Sequence, residues 1–229
     1  MRGGALLMMI AYHFGFDLNY LGWIHYDINY DQRWLLARTL ILGSFLLLVG
    51  MSLALAEAQQ KNPRQQWSRI GKIIAASGLV TAGSWLFIPD LTIYFGTLQA
   101  IALMSLALLL RPLPSWLAGI FGVIVIGLGN YCAHPAFDMP GLAWLGLMTH
   151  KPQTADYVPM LPWFGVCLIG YALAKILFQG HRNRALEGNR LYWPPILAWL
   201  GRHSLAVYLI HQPLLLGMMI PITYLLKSS

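Results

Sequence analysis

Seven apolar stretches, set apart by short polar or proline-bearing breaks, dominate this 229-residue chain. They lie at 3–24, 34–56, 70–88, 93–110, 114–132, 159–179 and 204–226. At about 1.5 Å of rise per residue, each is long enough or nearly so to cross roughly 30 Å of hydrocarbon as a helix. A water-exposed surface cannot be built around so many. Hydrophobic residues make up 58% of the chain and charged residues 10%, against roughly 25% charged in soluble domains. Disorder, coiled coil and an ordinary cytosolic enzyme are excluded. The predicted fold is all-α, a polytopic transmembrane helix bundle of about seven spans forming one domain over residues 1–229, because helices satisfy their own backbone groups in lipid.

Proline marks the breaks, at Pro63, Pro89, Pro112, Pro114, Pro159, Pro162, Pro194 and Pro195. The short turn at 89–92 makes an antiparallel hairpin of the third and fourth spans. The first apolar run leads into Asp17 without a small-residue cleavage site, so no secretory signal peptide is read there. Cys132 and Cys167 have neither a CxxC nor a paired spacing, which implies no disulfide framework or metal knuckle.

Orientation follows the Lys and Arg residues. With the N-terminus inside, one side holds Arg2, Lys61, Arg64, Arg69, Lys72, Arg111, Lys175, Arg182, Arg184, Arg190 and Arg202, eleven of the fifteen. Arg33, Arg38, Lys151 and Lys227 fall on the other. This asymmetry puts the N-terminus in the cytoplasm and accounts for the net charge of +7 without nucleic-acid binding. Tyr20, Trp23, Tyr26, Tyr30 and Trp34 cluster at one outer end, as interfacial anchors do. Gly119, Gly122, Gly127, Gly129, Gly165 and Gly170 in the fifth and sixth spans suit close helix approach.

Ionisable groups inside a span are costly and so point to function. His13 and Asp17 lie four apart, on one helical face. His13 falls roughly 16 Å above the inner surface by helix rise, with Asp17 about 6 Å further out. A carboxylate one turn away fixes an imidazole's tautomer and raises its basicity, as a general base requires. In the last span, His211-Gln212-Pro213 reaches a comparable depth, and Pro213 frees the carbonyl of Leu209, predicting a loosened helix beside the histidine. Arg38, Gln99 and Asn130 extend these residues into a polar line, which favours a membrane-embedded site over a passive anchor. The loop at 131–158 carries His134, Asp138, His150, Lys151 and Asp156; Pro135 and Pro140 argue against a regular helix, and no metal is predicted.

These residues also carry a resemblance. Arg2-Gly3, the run into Ile10-Ala11-Tyr12-His13 and then Asp17-Leu18 resemble the opening signature of the heparan-alpha-glucosaminide N-acetyltransferase-like family. That family sits within the wider transmembrane acyltransferase superfamily, whose first-helix Arg-x10-His spacing Arg2 and His13 also match. Further matches are Ser44–Gly50, Ile93–Gln99, Leu161–Gly165 and the block from Leu200-Gly201-Arg202-His203 through His211-Gln212-Pro213. The chain starts at the Arg-Gly itself, where relatives carry earlier residues, so a truncated start is expected.

The resemblance implies a multi-pass protein of the bacterial inner membrane. It would take acetyl-CoA as co-substrate from the cytoplasm and pass the acetyl group to a sugar, glycan or amino-sugar acceptor on the far side, with the lipid bilayer and a homodimer as further partners. His13, oriented by Asp17, is then the base or the transiently acetylated nucleophile. His211 and Gln99 contact the acyl group or oxyanion. Arg2, Arg202 and the basic loops (Lys61, Arg64, Arg69, Arg182, Arg184, Arg190) hold the CoA phosphates, since the chain has no Gly-rich phosphate loop. The alternative, a transporter or flippase of a small polar or glycan substrate, would use the same polar line; the chain lacks the paired broken-helix segments that class favours. A membrane scaffold would leave His13 and Asp17 unexplained.

Overall fold

The computed structural model describes residues 2–28, 30–179 and 194–227. Among them there is no strand, and eight α-helices follow one another: α1 Arg2–Tyr20, α2 Gln32–Ala58, α3 Pro63–Phe87, α4 Thr97–Leu110, α5 Ser115–Tyr131, α6 Met160–Gln179, α7 Pro195–Arg202 and α8 Ser204–Lys227. Each predicted span coincides with one helix. The largest difference is at α3, which starts at Pro63 rather than near residue 70. Proline suits a first helical position, and the Asn62 side chain accepts a hydrogen bond from the Arg64 N–H at 2.9 Å. The first two turns of α3 are polar, so hydropathy alone cannot register them. The amphipathic helix α7 is too short to read as a span.

By length and composition, α2, α3, α6 and α8 can each cross a membrane, while α4 and α5 are apolar but shorter. The helix α1, with His13 and Asp17 inside it, does not meet that test. Only 11% of the apolar window of α8 is buried, and Leu214, Met218, Ile220 and Ile222 are exposed on it. An apolar surface of this extent is one that lipid covers. The protein is an integral membrane protein.

The chain divides into two compact units. The first comprises the residues through Phe45 together with α7 and α8; the second runs from Leu46 to the end of α6. In the first, Leu6, Met9 and Leu200 form a buried cluster, with Ile10, Ile41, Leu197, Val207 and Tyr208 packed against it. Lipid is as apolar as these side chains, so close packing rather than water exclusion holds such helices together. Gly3 permits it, since a Cβ there would run into the Leu197 carbonyl. The helices α1 and α8 run parallel. Arg2 lies by Gly201, His13 by His211, Asp17 by Gln212, and Trp23 donates to Thr223 Oγ1 at 2.8 Å.

In the second unit, α2, α5 and α6 meet backbone to backbone. A Cβ on Gly50 would lie 2.8 Å from Tyr171 N, and one on Gly170 would lie 2.9 Å from Leu47 Cα. Gly165 faces the Gly122 carbonyl, where a Cβ would sit 2.5 Å away, and Gly129 faces Pro162. Four of the six glycines expected to serve close approach therefore do so. Gly119 makes only ordinary contact and Gly127 faces open space. The predicted hairpin of α3 and α4 forms through a 3₁₀ turn at Pro89–Leu91, with Thr81 Oγ1 donating to Ile93 O at 2.9 Å and Ile93 N donating to Ser84 Oγ at 2.9 Å.

Candidate active site

Parallel packing of α1 and α8 brings together residues from the two ends of the chain. The His13 and His211 rings face each other with centroids 5.1 Å apart and planes at 58°. Asp17, only 1% exposed, accepts a hydrogen bond on Oδ1 from Gln212 Nε2 at 2.8 Å. The expected bond between Asp17 and His13 is absent: Asp17 bonds across the helix pair through Oδ1, and the His13 ring lies tilted against that of His211. Tyr12 packs edge-on against His13 and against Trp34 at 5.3 Å, and Arg38 lies within electrostatic reach of the Tyr12 hydroxyl. A Cβ on Gly15 would strike the Trp34 ring at 2.6 Å, so Gly15 lets α2 close on this face of α1.

The tautomer of His211 follows from its neighbour. Nδ1 lies 2.6 Å from the Tyr208 carbonyl oxygen, which can only accept, so Nδ1 carries the hydrogen and Nε2 of the neutral ring keeps its lone pair. That Nε2 is buried without a partner, as are Asp17 Oδ2 and Gln212 Oε1. Ser105 Oγ is the one other such side-chain atom among the described residues. A buried polar atom left unpaired costs about 1–3 kcal/mol, and three such atoms lie on Asp17, His211 and Gln212, which makes this group the candidate site. The helix α8 continues through both Pro213 and Pro221, and since Pro213 has no N–H, the Leu209 carbonyl is without its usual partner four residues on.

The predicted phosphate-binding cations divide. Arg2 and Arg202 come to the same end of the first unit, where a Cβ on Gly201 would lie 3.7 Å from Arg2 Cβ. Arg202 is exposed at the end of α7, followed by His203, whose ring packs on Trp199 at 4.7 Å. Arg64 is exposed on the first turn of α3, in the second unit. Arg182, Arg184 and Arg190 lie outside the described residues.

Gln99 and Asn130, the remaining members of the polar line, have structural duties in the second unit. Gln99 accepts from Gly96 N at 3.2 Å, capping α4, and donates to Thr81 Oγ1 at 2.9 Å and Ser77 O at 3.3 Å. Its amide is fully used. Asn130 turns back onto Ile126 O at 2.7 Å.

Three arrangements escaped the sequence reading. Gln212 stood beside His211 without a role; a polar side chain directly after an intramembrane histidine was the available signal. In the second unit Glu57 accepts from the Tyr171 hydroxyl and pairs with Lys175 Nζ at 2.8 Å, and Lys175 also donates to Leu113 O at 2.8 Å. Asp156 Oδ2 accepts from Thr97 N at 2.7 Å, at the start of α4. These partners are 59 to 118 residues apart, beyond any local pattern.

The loop between α5 and α6 is held in place by specific bonds. Pro135 and Pro140 each open a 3₁₀ turn, as their missing N–H groups favour. Asp138 accepts from Thr149 N at 2.8 Å and Thr149 Oγ1 at 2.7 Å, with His150 Nδ1 at 3.6 Å. These hydrogen bonds hold the Asp138 carboxyl below its ordinary range. Burial pushes the Tyr157 phenol up; its hydroxyl donates to Ala143 O at 2.7 Å.

Sequence comparison adds an independent observation. The sequence model of the family described as heparan-alpha-glucosaminide N-acetyltransferase, catalytic, matches residues 1–213. The match takes in every member of the His13, Asp17, His211 and Gln212 group. No curated protein and no solved structure matches the chain.

Proposed function

This chain belongs to the heparan-alpha-glucosaminide N-acetyltransferase family of membrane acetyltransferases, and on that basis we propose that it moves an acetyl group from cytoplasmic acetyl-CoA to an amino-sugar or other glycan acceptor at the outer face. The observation that carries the reading is the meeting of the His13 and His211 rings beside three buried, unpartnered acceptor atoms. A general base needs a free lone pair within reach of the proton it takes, and His211 Nε2 has one.

In the proposed reaction His211 Nε2 removes a proton from the acceptor amine or hydroxyl as it attacks the thioester carbon. The new bond to that carbon forms, the C–S bond breaks as the tetrahedral intermediate collapses, and the CoA thiolate leaves with a proton returned through the imidazole pair. His13, in ring contact with His211, relays the proton, and Asp17 supplies the negative charge that stabilises the transient imidazolium. Arg2 and Arg202, which come to one end of the first unit, bind the phosphates of CoA by charge-assisted hydrogen bonds. The orientation from Lys and Arg supports this direction of transfer: seven spans with the N-terminus in the cytoplasm of a bacterial inner membrane put Arg2 and Arg202 on the donor side.

The test is transfer from radiolabelled acetyl-CoA, by protein in nanodiscs, to glucosamine and a panel of glycans, alongside the melting temperature with and without CoA. Labelled N- or O-acetyl product and a stabilising shift are expected. Absence of product with every acceptor, together with no shift, would overturn the proposal.

A further inference from the structure

Gln212 has no role in the reaction as set out above, yet it is the partner of the most deeply buried carboxylate in the first unit. Only its Nε2 can donate to Asp17 Oδ1, so the amide's orientation is fixed and its Oε1 is left buried without a partner. The bond leaves Asp17 with one engaged oxygen and one free one. Asp17 is 1% exposed and His211 8%, and Oδ2 of the first and Nε2 of the second have no partner. The hydrogen bond to Gln212 ties the Asp17 side chain to a second helix. With it, the carboxylate is locked against α8, the helix that also carries His211.

We infer that Gln212 is a positioning residue: it holds the Asp17 carboxylate against α8 through Oδ1 and leaves Oδ2 free to accept a hydrogen bond from the acceptor substrate. His211 Nε2 takes the nucleophile's proton during attack, while Asp17 Oδ2 accepts a hydrogen bond that holds the acceptor substrate in place. Gln212 touches no reacting atom and acts through Asp17. The inference rests on the acetyltransferase reading for its consequence in catalysis, while the lock itself is a property of the helix pair.

The experiment uses the full chain in nanodiscs, with acetyl-CoA and glucosamine as probes, and compares Gln212→Met, of similar shape but lacking the amide, with Asp17→Asn, which keeps an acceptor for Gln212 but removes the charge. Melting temperature, kcat and the KM for acetyl-CoA are read for each. The rate at which a hydrophobic carbodiimide modifies Asp17, located by mass spectrometry, is read for the wild type and Gln212→Met. Gln212→Met is expected to hold its acetyl-CoA KM, to lose about 10²-fold in kcat, the scale of a misplaced reacting group, and to label faster at Asp17. Asp17→Asn is expected to fold normally and lose kcat to a similar degree. Unchanged labelling in Gln212→Met, or full activity in Asp17→Asn, overturns the inference. So does a fall in kcat accompanied by a raised KM and a lowered melting temperature, which would make Gln212 a packing residue. If the wild type transfers acetyl to no acceptor, the acetyltransferase reading fails by itself, and the labelling rate still decides whether Gln212 holds the carboxylate.

Discussion

In the unit built on α3 to α6, polar side chains between helices find partners: Gln99 with Thr81 and Ser77, Asp156 with the start of α4, Glu57 with both Tyr171 and Lys175. In the unit of α1, α7 and α8, a comparably buried group of side chains keeps three atoms unpaired. Both units pay the same desolvation for polar groups, about 1–3 kcal/mol for each one left unmade. The second recovers it, with Ser105 Oγ as its exception among the described residues; the first leaves it unrecovered beside the facing imidazoles. Polarity alone therefore does not locate a site in this membrane protein. The unpaired atoms are what separates the two units.

That contrast makes each unit's mutations behave differently. The largest effect is expected from His211→Ala, which removes the free lone pair: kcat should fall about 10²- to 10⁴-fold, as for loss of a general base, with the melting temperature nearly unchanged. A fully active variant would erase the distinction between the units. Next is Gly50→Val in the second unit, where the added side chain meets the backbone of α6. Overpacking of about 1–3 kcal/mol or more should lower the melting temperature, while the kcat of the folded fraction is spared. Lys175→Met should follow the same pattern more weakly. Glu57 is 39% exposed in its side chain, so solvent screening limits the loss to about 1 kcal/mol, and unaltered stability would show that the pair contributes nothing.

The smallest effect belongs to the loop carrying Asp138. Its carboxyl is held below the ordinary range by Thr149, so the folded loop binds its proton less readily than the unfolded one does. The stabilisation is therefore present above the ordinary carboxylate range and is lost as pH falls through the lower, folded value. Limited proteolysis between residues 132 and 158 should accelerate below that range in the wild type, and Asp138→Asn should already cleave faster at pH 7. Equal rates for the two proteins at pH 7 would remove the loop from the ordered part of the second unit.

How much of this could be read beforehand depended on distance along the chain. Helix positions followed from runs of Leu, Ile, Val and Ala, whose signal is local, and the errors came where polar turns such as Pro63–Arg69 extend a helix beyond its apolar part. His13, Asp17 and His211 were legible because a charge or imidazole is out of place in an apolar run. Their pairing was not. A spacing of four suggested that Asp17 serves His13, whereas the contact that forms is with Gln212, 195 residues away, because helix packing decides which of several nearby faces is filled. Gln99 shows the reverse: an intramembrane amide that looked available is consumed by capping its own helix and by bonding to α3.

Pairing the first helix with the last has a consequence for how the protein is made. At roughly 5–20 residues per second, about 10–40 s separate the emergence of Asp17 from that of Gln212 on a translating ribosome. Throughout that interval the nascent α1 carries a carboxylate without its amide, a costly group in an apolar segment. A chain whose synthesis stops before residue 211 therefore never acquires the facing imidazole, and quality-control proteases would meet in it an unmatched acidic helix that a finished chain conceals.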